Sequence, residues 1–305
     1  MIARHPTAGL PRGSALAGIG LTLAAMAILP VMDGLAKHLG EHLTIAQIVW
    51  GRMVFSALLL APPVVARHGP GALLPPRVGL HLVRTLLMMA STGLFFAALL
   101  TLPVADALAL FFVYPLAVTA LSPLLLGESV GIRRWSAVVV GFAGMLIIVR
   151  PGFQAIGFGT LLALAAGIIF AVSMLMTRQV AGSARPLVTA AFTAVAGSLV
   201  MSLIVPFGWV VPGAGEWLLL AAIGVISAAG HYLLVKAYEH GEAGLLAPLA
   251  YSEMITAVLV GYVGFGDLPD RWTFLGVAVL IAAAIYIAWR EWTLGRATPR
   301  RDAPA

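Results

Sequence analysis

The chain has 305 residues, of which 61% are hydrophobic and 10% charged, and it contains no cysteine. This composition excludes a water-soluble globule, and the missing thiols exclude disulfides, thiolate metal sites and cysteine nucleophiles. The formal net charge of +6 could suggest nucleic-acid binding, but the basic residues flank apolar stretches and form no single patch. We therefore predict an all-α polytopic membrane protein with no nucleic-acid partner and the lipid bilayer as its surroundings.

Ten apolar stretches follow one another, each about long enough to cross a bilayer as a helix of roughly 20 residues. Lipid offers the backbone no hydrogen-bond partners, so such stretches must be helices. The predicted spans are 14–37, 44–66, 81–102, 105–126, 134–149, 157–180, 186–205, 216–239, 243–264 and 272–292. The tails 1–13 and 293–305 are too short for a soluble domain, and the first lacks the features of a signal peptide.

The basic residues predict the orientation. With the N-terminus inside, Lys37, Arg150 and Arg271 fall outside and Arg52 lies within span 2. The other fourteen of the 18 Lys and Arg residues fall on the inner side: Arg4, Arg12, Arg67, Arg77, Arg84, Arg133, Arg134, Arg178, Arg185, Lys236, Arg290, Arg296, Arg300 and Arg301. This bias follows the positive-inside rule and predicts that both termini are cytoplasmic.

The two halves of the chain, 14–149 and 157–292, resemble each other. Span 4 is followed by Gly127-Glu128 and span 9 by Gly266-Asp267, and in both halves a very short link precedes that span. Because each half has five spans, an odd number, the second half enters the membrane from the opposite face. We therefore predict two inverted five-helix repeats around a central cavity, an architecture common in secondary transporters.

Small residues mark the last span of each half, among them Gly141 and Gly144 in span 5 and Gly276 and Ala283 in span 10. Such residues let helix backbones approach closely in lipid. The pattern favours packing within one chain, and hence a monomer, over a dimer contact.

Short segments occur in a distinctive order along the chain: Asp33–Lys37, Gln47–Arg52, Pro115–Glu128, Lys236–Ala243, Pro248, Tyr251 and Gly266-Asp267. This order resembles the drug/metabolite transporter superfamily in its two-copy EamA form, and it is similar to the YddG-type amino-acid exporters within that superfamily. The resemblance implies ten helices around a cavity, cytoplasmic termini and outward movement of an amino acid by alternating access.

Ionisable side chains inside the membrane are costly and are candidates for function. Glu253, beside Tyr251 in span 9, could bind a proton or an ammonium group, or form a structural hydrogen bond. His231 shares a face of span 8 with Ser227 and lies next to Tyr232. It is a candidate cavity donor or proton relay, and an interhelical hydrogen bond is the alternative. No second ligand lies at a spacing suited to a metal.

Two further groups of polar residues lie in spans 1 and 2. Asp33 and Lys37 are one helical turn apart, so they form either an internal ion pair or a gate that recognises both charges of a zwitterion. Arg52, close to Trp50, must pair or reach water, and its candidate partners are Asp33 and Glu253. Either holding the fold or contacting the substrate would explain Arg52.

Three prolines predict breaks within spans: Pro30, Pro115 and Pro248. The last two occupy corresponding spans of the two halves, and matched interruptions point to a transport site. Aromatic residues cluster mid-span in the same region, either as packing or as a pocket for bulky apolar solutes: Phe95, Phe96, Phe111, Phe112, Tyr114, Tyr232 and Tyr251.

The sequence contains no HExxH motif, nucleophile elbow, P-loop or aspartate-rich diphosphate motif, so we predict no enzyme, no cofactor and no ATP-driven pump. We predict a secondary transporter of small metabolites in a bacterial-type inner membrane, with an aromatic or neutral amino acid exported by alternating access. Uptake or exchange of another metabolite, such as S-adenosylmethionine or a nucleotide-linked sugar, is the alternative. A non-transporting scaffold is the third interpretation, and a proton is the candidate coupling ion.

Overall fold

The computed structural model describes residues 12–127, 131–149, 157–180, 183–240 and 246–297, and this part of the chain contains helices and no strand. The α-helices are α1 (Arg12–Leu39), α2 (Ile45–His68), α3 (Val78–Leu99), α4 (Val104–Phe111), α5 (Tyr114–Leu126), α6 (Ile132–Val149), α7 (Phe158–Val180), α8 (Pro186–Ile204), α9 (Ala214–His240), α10 (Glu253–Phe265) and α11 (Arg271–Ala297). Short 3-10 helices cover Pro70–Leu73, Val205–Gly208 and Ala247–Ser252. The all-helical prediction is confirmed.

Seven helical stretches are long and apolar enough to cross a membrane, with α4 and α5 counted together as Val104–Leu126. Three of the predicted spans correspond to shorter apolar helices, at Val138–Val149, Leu249–Phe265 and Arg271–Ala283. The helices at both ends of the chain also extend into the predicted tails, since α1 begins at Arg12 and α11 continues to Ala297.

Span 4 and span 9 are both interrupted. The α-helix of span 4 stops at Phe111 and resumes at Tyr114, where Pro115 occupies one of the first two positions of α5. In span 9 the 3-10 segment Ala247–Ser252, which contains Pro248, precedes α10. Pro30 does not break its helix as expected, because it lies inside the continuous α1.

The two interrupted spans also end in the same way. Gly127 after α5 has φ +67° and Gly266 after α10 has φ +71°, a left-handed conformation that glycine adopts without steric cost. The backbone N–H of Asp267 then donates to the carbonyl of Gly261 at 3.0 Å, which directs the chain back toward the bundle. Glu128, the residue that corresponds to Asp267, lies outside the described residues, as do Gly241–Ala243.

The helix contacts come in matched sets. The most extensive are α1 with α9 and α3 with α7, together with α2 with α8 and α6 with α11. Helix α1 also packs against α10, and α7 packs against α4 and α5. When each span of the first half is exchanged with the corresponding span of the second half, the contact between α1 and α9 becomes the contact between α7 and α3. The same exchange leaves the contacts of α2 with α8 and of α6 with α11 unchanged. The two halves are therefore interleaved, and each contributes to the centre.

The small residues of α6 and α11 bring these two helices together. A Cβ added at Gly144 would lie 3.0 Å from the carbonyl oxygen of Gly276, and one at Gly276 would lie 2.6 Å from that of Gly144. Gly141 faces Leu116 within the same half. These glycines therefore serve contacts within the chain.

Candidate functional site

A cavity of about 380 Å³ lies between α2, α3, α7, α8 and α9. It extends from Arg52, in the first half of α2, toward the end of the bundle where α2, α7 and α9 end and α3 and α8 begin. Its lining combines arginine and hydroxyl side chains with apolar walls: Arg52, Met53, Ser56, Leu60, Arg84, Met88, Thr177, Val180, Ala184, Pro186, Thr189, Ala190, Thr193, Ala194, Ser227, Ala228, His231 and Val235. Such a volume falls within the range of small-molecule sites.

Arg52 connects three helices at the deep end of this cavity. Its Nε donates to Ser227 Oγ of α9 at 2.9 Å, and its Nη1 donates to Thr92 Oγ1 of α3 at 2.6 Å. Asp33 lies within electrostatic range of the guanidinium. Across the described residues, however, no ion pair within 4.0 Å joins Arg52 to Asp33 or Glu253, so the expected direct pairing is absent. The arginine both holds helices together and lines the cavity.

Arg84 lies in the same cavity, and its role was missed by the sequence reasoning. Arg84 is one of the basic residues that predict the orientation, and it also lies within the predicted span 81–102. Because α3 begins at Val78, Arg84 is more than one turn inside the helix. Its Nη2 donates to Thr193 Oγ1 and, at 3.4 Å, to the carbonyl of Thr189. The rule that ionisable residues within apolar spans are functional candidates would have identified it.

His231 lines the cavity, as one of its two interpretations required, and its neighbour Tyr232 does not. The Nδ1 of His231 lies 2.8 Å from the carbonyl oxygen of Ser227, so Nδ1 must carry the proton of this bond. Tyr232 is 45% exposed on the outer surface of the bundle and is absent from the lining of this cavity. The proposed binding role of Tyr232 is therefore not supported by its position.

The aromatic residues form a packed cluster beside the cavity. Ring centroids of Phe95 and Phe111 are 5.1 Å apart, those of Phe111 and Tyr114 are 5.5 Å apart, and those of Phe112 and Tyr251 are 5.0 Å apart. The cluster surrounds the interruptions of spans 4 and 9, and none of these five residues lines the cavity described above. In this conformation the rings pack against one another, and Tyr251 also lines a second cavity, so both interpretations stay predictions.

Two carboxylates within the spans, those of Asp33 and Glu253, lie outside the lining of the cavity. Glu253 is the first residue of α10, where helix N-termini favour negative charge. It lies within electrostatic range of Asp33 and Tyr114. Asp33 is only 4% exposed, and neither carboxylate lines the cavity. The cavity lining therefore includes Arg52 and Arg84 and neither of these two acids.

Lys37 does not pair with Asp33, one turn away, as one interpretation expected. Its Nζ donates to Asp267 Oδ2 at 2.9 Å and to the carbonyl of Leu102 at 3.1 Å, and it lies 4.7 Å from the ring centroid of Phe265. The turn at Gly266 brings Asp267 within reach of the long lysine side chain. This contact, which we call the lysine clamp (Lys37, Leu102, Phe265 and Asp267), joins the two halves at the end opposite the cavity opening.

A second set of contacts seals the same end. Gln47 Nε2 donates to the carbonyl of Val210 at 2.7 Å, and the N–H of Val210 donates to Gln47 Oε1 at 3.0 Å. Trp50 packs edge to face against Trp209 and Trp217, with centroids 5.5 and 6.0 Å away. Helix α2 is thereby fixed to the segment between α8 and α9.

The comparisons with known proteins identify the family. Residues 16–150 and 157–289 each match the EamA-like transporter family. The chain belongs to this family. Its two matched regions show that the family unit occurs twice, and the predicted resemblance to the drug/metabolite transporters is confirmed.

Individual relatives carry different small molecules. The chain is 27% identical over 276 residues to an S-adenosylmethionine uptake transporter of Rickettsia prowazekii, covering 90% of this chain and 94% of the relative. It is 29% identical over 240 residues to a riboflavin transporter of Rhizobium johnstonii, covering 77% and 78%. A pseudopaline exporter of Pseudomonas aeruginosa is 27% identical, covering 89% and 95%.

One solved crystal structure shares the fold, with a TM-score of 0.63 at 19% identity over 92% of this chain and 98% of the other. The family and the relatives described above make this EamA protein a multi-pass membrane transporter of a small molecule. None of the three relatives described above is named as an amino-acid exporter, so they do not support that part of the prediction.

Proposed function

We propose that this EamA protein is a secondary carrier that moves a small polar metabolite by alternating access. One observation carries the proposal: the cavity reaches one end of the bundle, while contacts between the two halves close the other end. A carrier needs a central binding site and closing contacts that form on one side of that site when those on the other side break. The lysine clamp supplies such a seal, because it is made of side-chain contacts at the surface between halves.

The proposed architecture is ten spans in two inverted five-helix repeats. The matched interruptions of spans 4 and 9 support it, as does the exchange of helix contacts between halves. Inverted repeats allow one protein to adopt two related conformations, each open to a different side. The interleaved helices α1, α3, α7 and α9 would move relative to one another in this exchange.

The orientation follows from the basic residues. The positive-inside rule places the end where α2 and α9 terminate in the cytoplasm, so the cavity would face inward and the lysine clamp outward. The proposed location is the inner membrane of a bacterium, with both termini cytoplasmic.

For the cargo, we propose S-adenosylmethionine or a metabolite of similar size and polarity, taken up or exchanged. The support is the similarity to uptake transporters over 90% of this chain, and the cavity volume agrees with a cargo of this kind. Export of a free amino acid stays the second candidate, because the mixture of arginine, histidine and hydroxyl groups suits that cargo too.

Counterflow in proteoliposomes tests both levels of the proposal. Vesicles preloaded with S-adenosylmethionine, methionine, phenylalanine or riboflavin are given the same labelled compound outside, with protein-free vesicles as the control. Saturable exchange of one compound supports a carrier and names its cargo. Absence of exchange for every compound, with folded protein in the vesicles, would remove the support for this assignment.

Cysteine labelling tests the alternating access. The chain has no native thiol, so a single cysteine at Ala190 in the cavity can be labelled cleanly. A membrane-impermeant maleimide should reach it from the cytoplasmic side, and cargo should slow the reaction. Equal labelling from both sides with no effect of cargo would indicate a channel or a leak.

A further inference from the structure

Two arginines line the cavity, and the described residues that line it with them include no acidic residue. Arg52 and Arg84 are each only 6% exposed, and among the described residues that form the lining none is Asp or Glu. His231, also in the lining, lies within electrostatic range of both guanidinium groups. The cavity therefore concentrates positive charge in a region of low dielectric constant.

Two buried arginines in a cavity with no acidic residue in its lining are energetically unfavourable. Burying a cation is costly unless it is paired with an anion and fully hydrogen-bonded, and two like charges in one cavity repel each other. The guanidinium nitrogens Nε and Nη1 of Arg52 and Nη2 of Arg84 donate to neutral acceptors, namely hydroxyl groups and a backbone carbonyl. What the cavity lacks is a negative charge.

Of the two arginines, Arg84 has the less complete set of hydrogen bonds. Its Nε is buried and has no hydrogen-bond acceptor in the described part of the chain, although its Nη2 is engaged by Thr193 and Thr189. Arg52, by contrast, uses both Nε and Nη1 and has Asp33 nearby. An oxyanion that accepts from a guanidinium at two nitrogens would satisfy Arg84 best.

We propose that the cavity binds the carboxylate or phosphate group of the transported solute, with Arg84 as the principal contact and Arg52 as the second. This inference rests on the proposed transport function and specifies its substrate class. Thr177 and Thr193 line the cavity but donate their hydroxyl protons to carbonyls of their own helices, so the arginines supply the donors to the anion. The apolar wall formed by Met53, Met88 and Val235 holds the rest of the solute.

The test compares solutes that differ in this one group. Three matched pairs are used in proteoliposome exchange: methionine and methioninamide, S-adenosylmethionine and its decarboxylated form, and riboflavin 5′-phosphate and riboflavin. A charge-assisted hydrogen bond should favour the member that carries the carboxylate or phosphate, in any transported pair, by about tenfold to hundredfold. The pairs also separate carboxylate from phosphate.

Arg84 variants locate the anion. Arg84→Gln should bring the preference within a transported pair close to one, and Arg84→Lys should keep part of it, because lysine retains the charge without the planar fork. Arg77→Gln is the matched control, because Arg77 precedes the same helix and donates outside the cavity to the carbonyl of Gln179. It should leave the preference unchanged.

An anionic lipid headgroup is the other possible source of the charge, and vesicles with and without phosphatidylglycerol distinguish it. Dependence of exchange on this lipid, with no preference between paired solutes, would assign Arg84 to lipid and overturn the inference. Equal transport, by the wild type, of the members with and without the carboxylate or phosphate would also overturn it, even if both Arg84 variants fail to fold. If no solute is exchanged at all, the proposed transport function is refuted, and the inference fails with it.

Discussion

Removing the carboxylate of the lysine clamp should open the sealed end of the bundle more often. In the substitution Asp267→Asn the bond from Lys37 Nζ, 2.9 Å long, loses its charged acceptor. The side chains are 16% and 33% exposed, so the pair lies between a solvated and a buried ion pair. A surface pair contributes up to about 1 kcal/mol, and a hydrogen bond to a charged group about 1.5–3 kcal/mol.

We therefore expect a loss of about 1–2 kcal/mol in the free-energy difference that favours the sealed conformation, which is about a 5- to 30-fold change in population. The assay is labelling of a cysteine at Ala36, which is fully buried beside Lys37. Its reaction with an impermeant reagent added outside should accelerate by that factor in Asp267→Asn. Glu41→Gln is the control, because Glu41 lies at the same end with an exposed side chain.

The double variant Lys37→Met with Asp267→Asn checks that the two residues act as a pair. If they do, its labelling rate should be close to that of the single variants and well below the product of their effects. An Asp267→Asn protein that is folded and labels at the wild-type rate would refute the role of the clamp as a seal.

Three further experiments, which use five substitutions, test the coupling proton, the helix packing and the cavity lining. Glu253→Gln should abolish proton-driven accumulation while counterflow continues, if Glu253 carries the coupling proton; uptake driven by an imposed pH gradient measures this. Gly276→Ala should lower the free energy of unfolding by about 1–3 kcal/mol, because its Cβ would overlap α6, whereas Gly20→Ala, with open space around it, should not, as thermal unfolding will show. Tyr232→Ala should leave exchange rates near those of the wild type, while His231→Ala should change the apparent affinity for cargo.

The sequence predicted the membrane class, the repeat and the sites of the helix breaks because these follow from patterns within a segment. Apolar length identifies a span, and a proline with its neighbours identifies an interruption. Pro30 shows the limit of this reasoning: a proline costs a helix one hydrogen bond, and packing decides whether the helix continues, as it does in α1.

Partnerships between distant segments could not be predicted in this way. Lys37 had a carboxylate at the favourable i, i−4 spacing in Asp33, yet its partner is Asp267, 230 residues away. Local spacing says which groups share a helix face, whereas tertiary packing decides what that face meets. Arg84 was missed for a related reason: near the end of a span, a basic residue that sets topology and one that lines a cavity look the same in sequence.

The repeat symmetry extends the argument for the clamp to the other side of the membrane. Lys37 lies two residues before the end of α1, and Arg178 lies two residues before the end of α7, the corresponding helix of the second half. Asp267 follows the left-handed Gly266, and Glu128, outside the described residues, follows the left-handed Gly127 in sequence. In the proposed orientation, Arg178 would help to close the cytoplasmic end as Lys37 would close the outer end, so that the two seals oppose each other.

Neutralising Arg178 should then favour the inward-facing conformation and have the opposite effect to Asp267→Asn. In Arg178→Gln the cysteine at Ala36 should label more slowly from outside than in the wild type, and the cysteine at Ala190 should label faster from inside. Combining both substitutions should return the rates toward wild-type values, since each weakens one of two competing seals. Changes of the same sign in the two single variants would mean that they loosen the bundle generally, and the matched pair of seals would have to be abandoned.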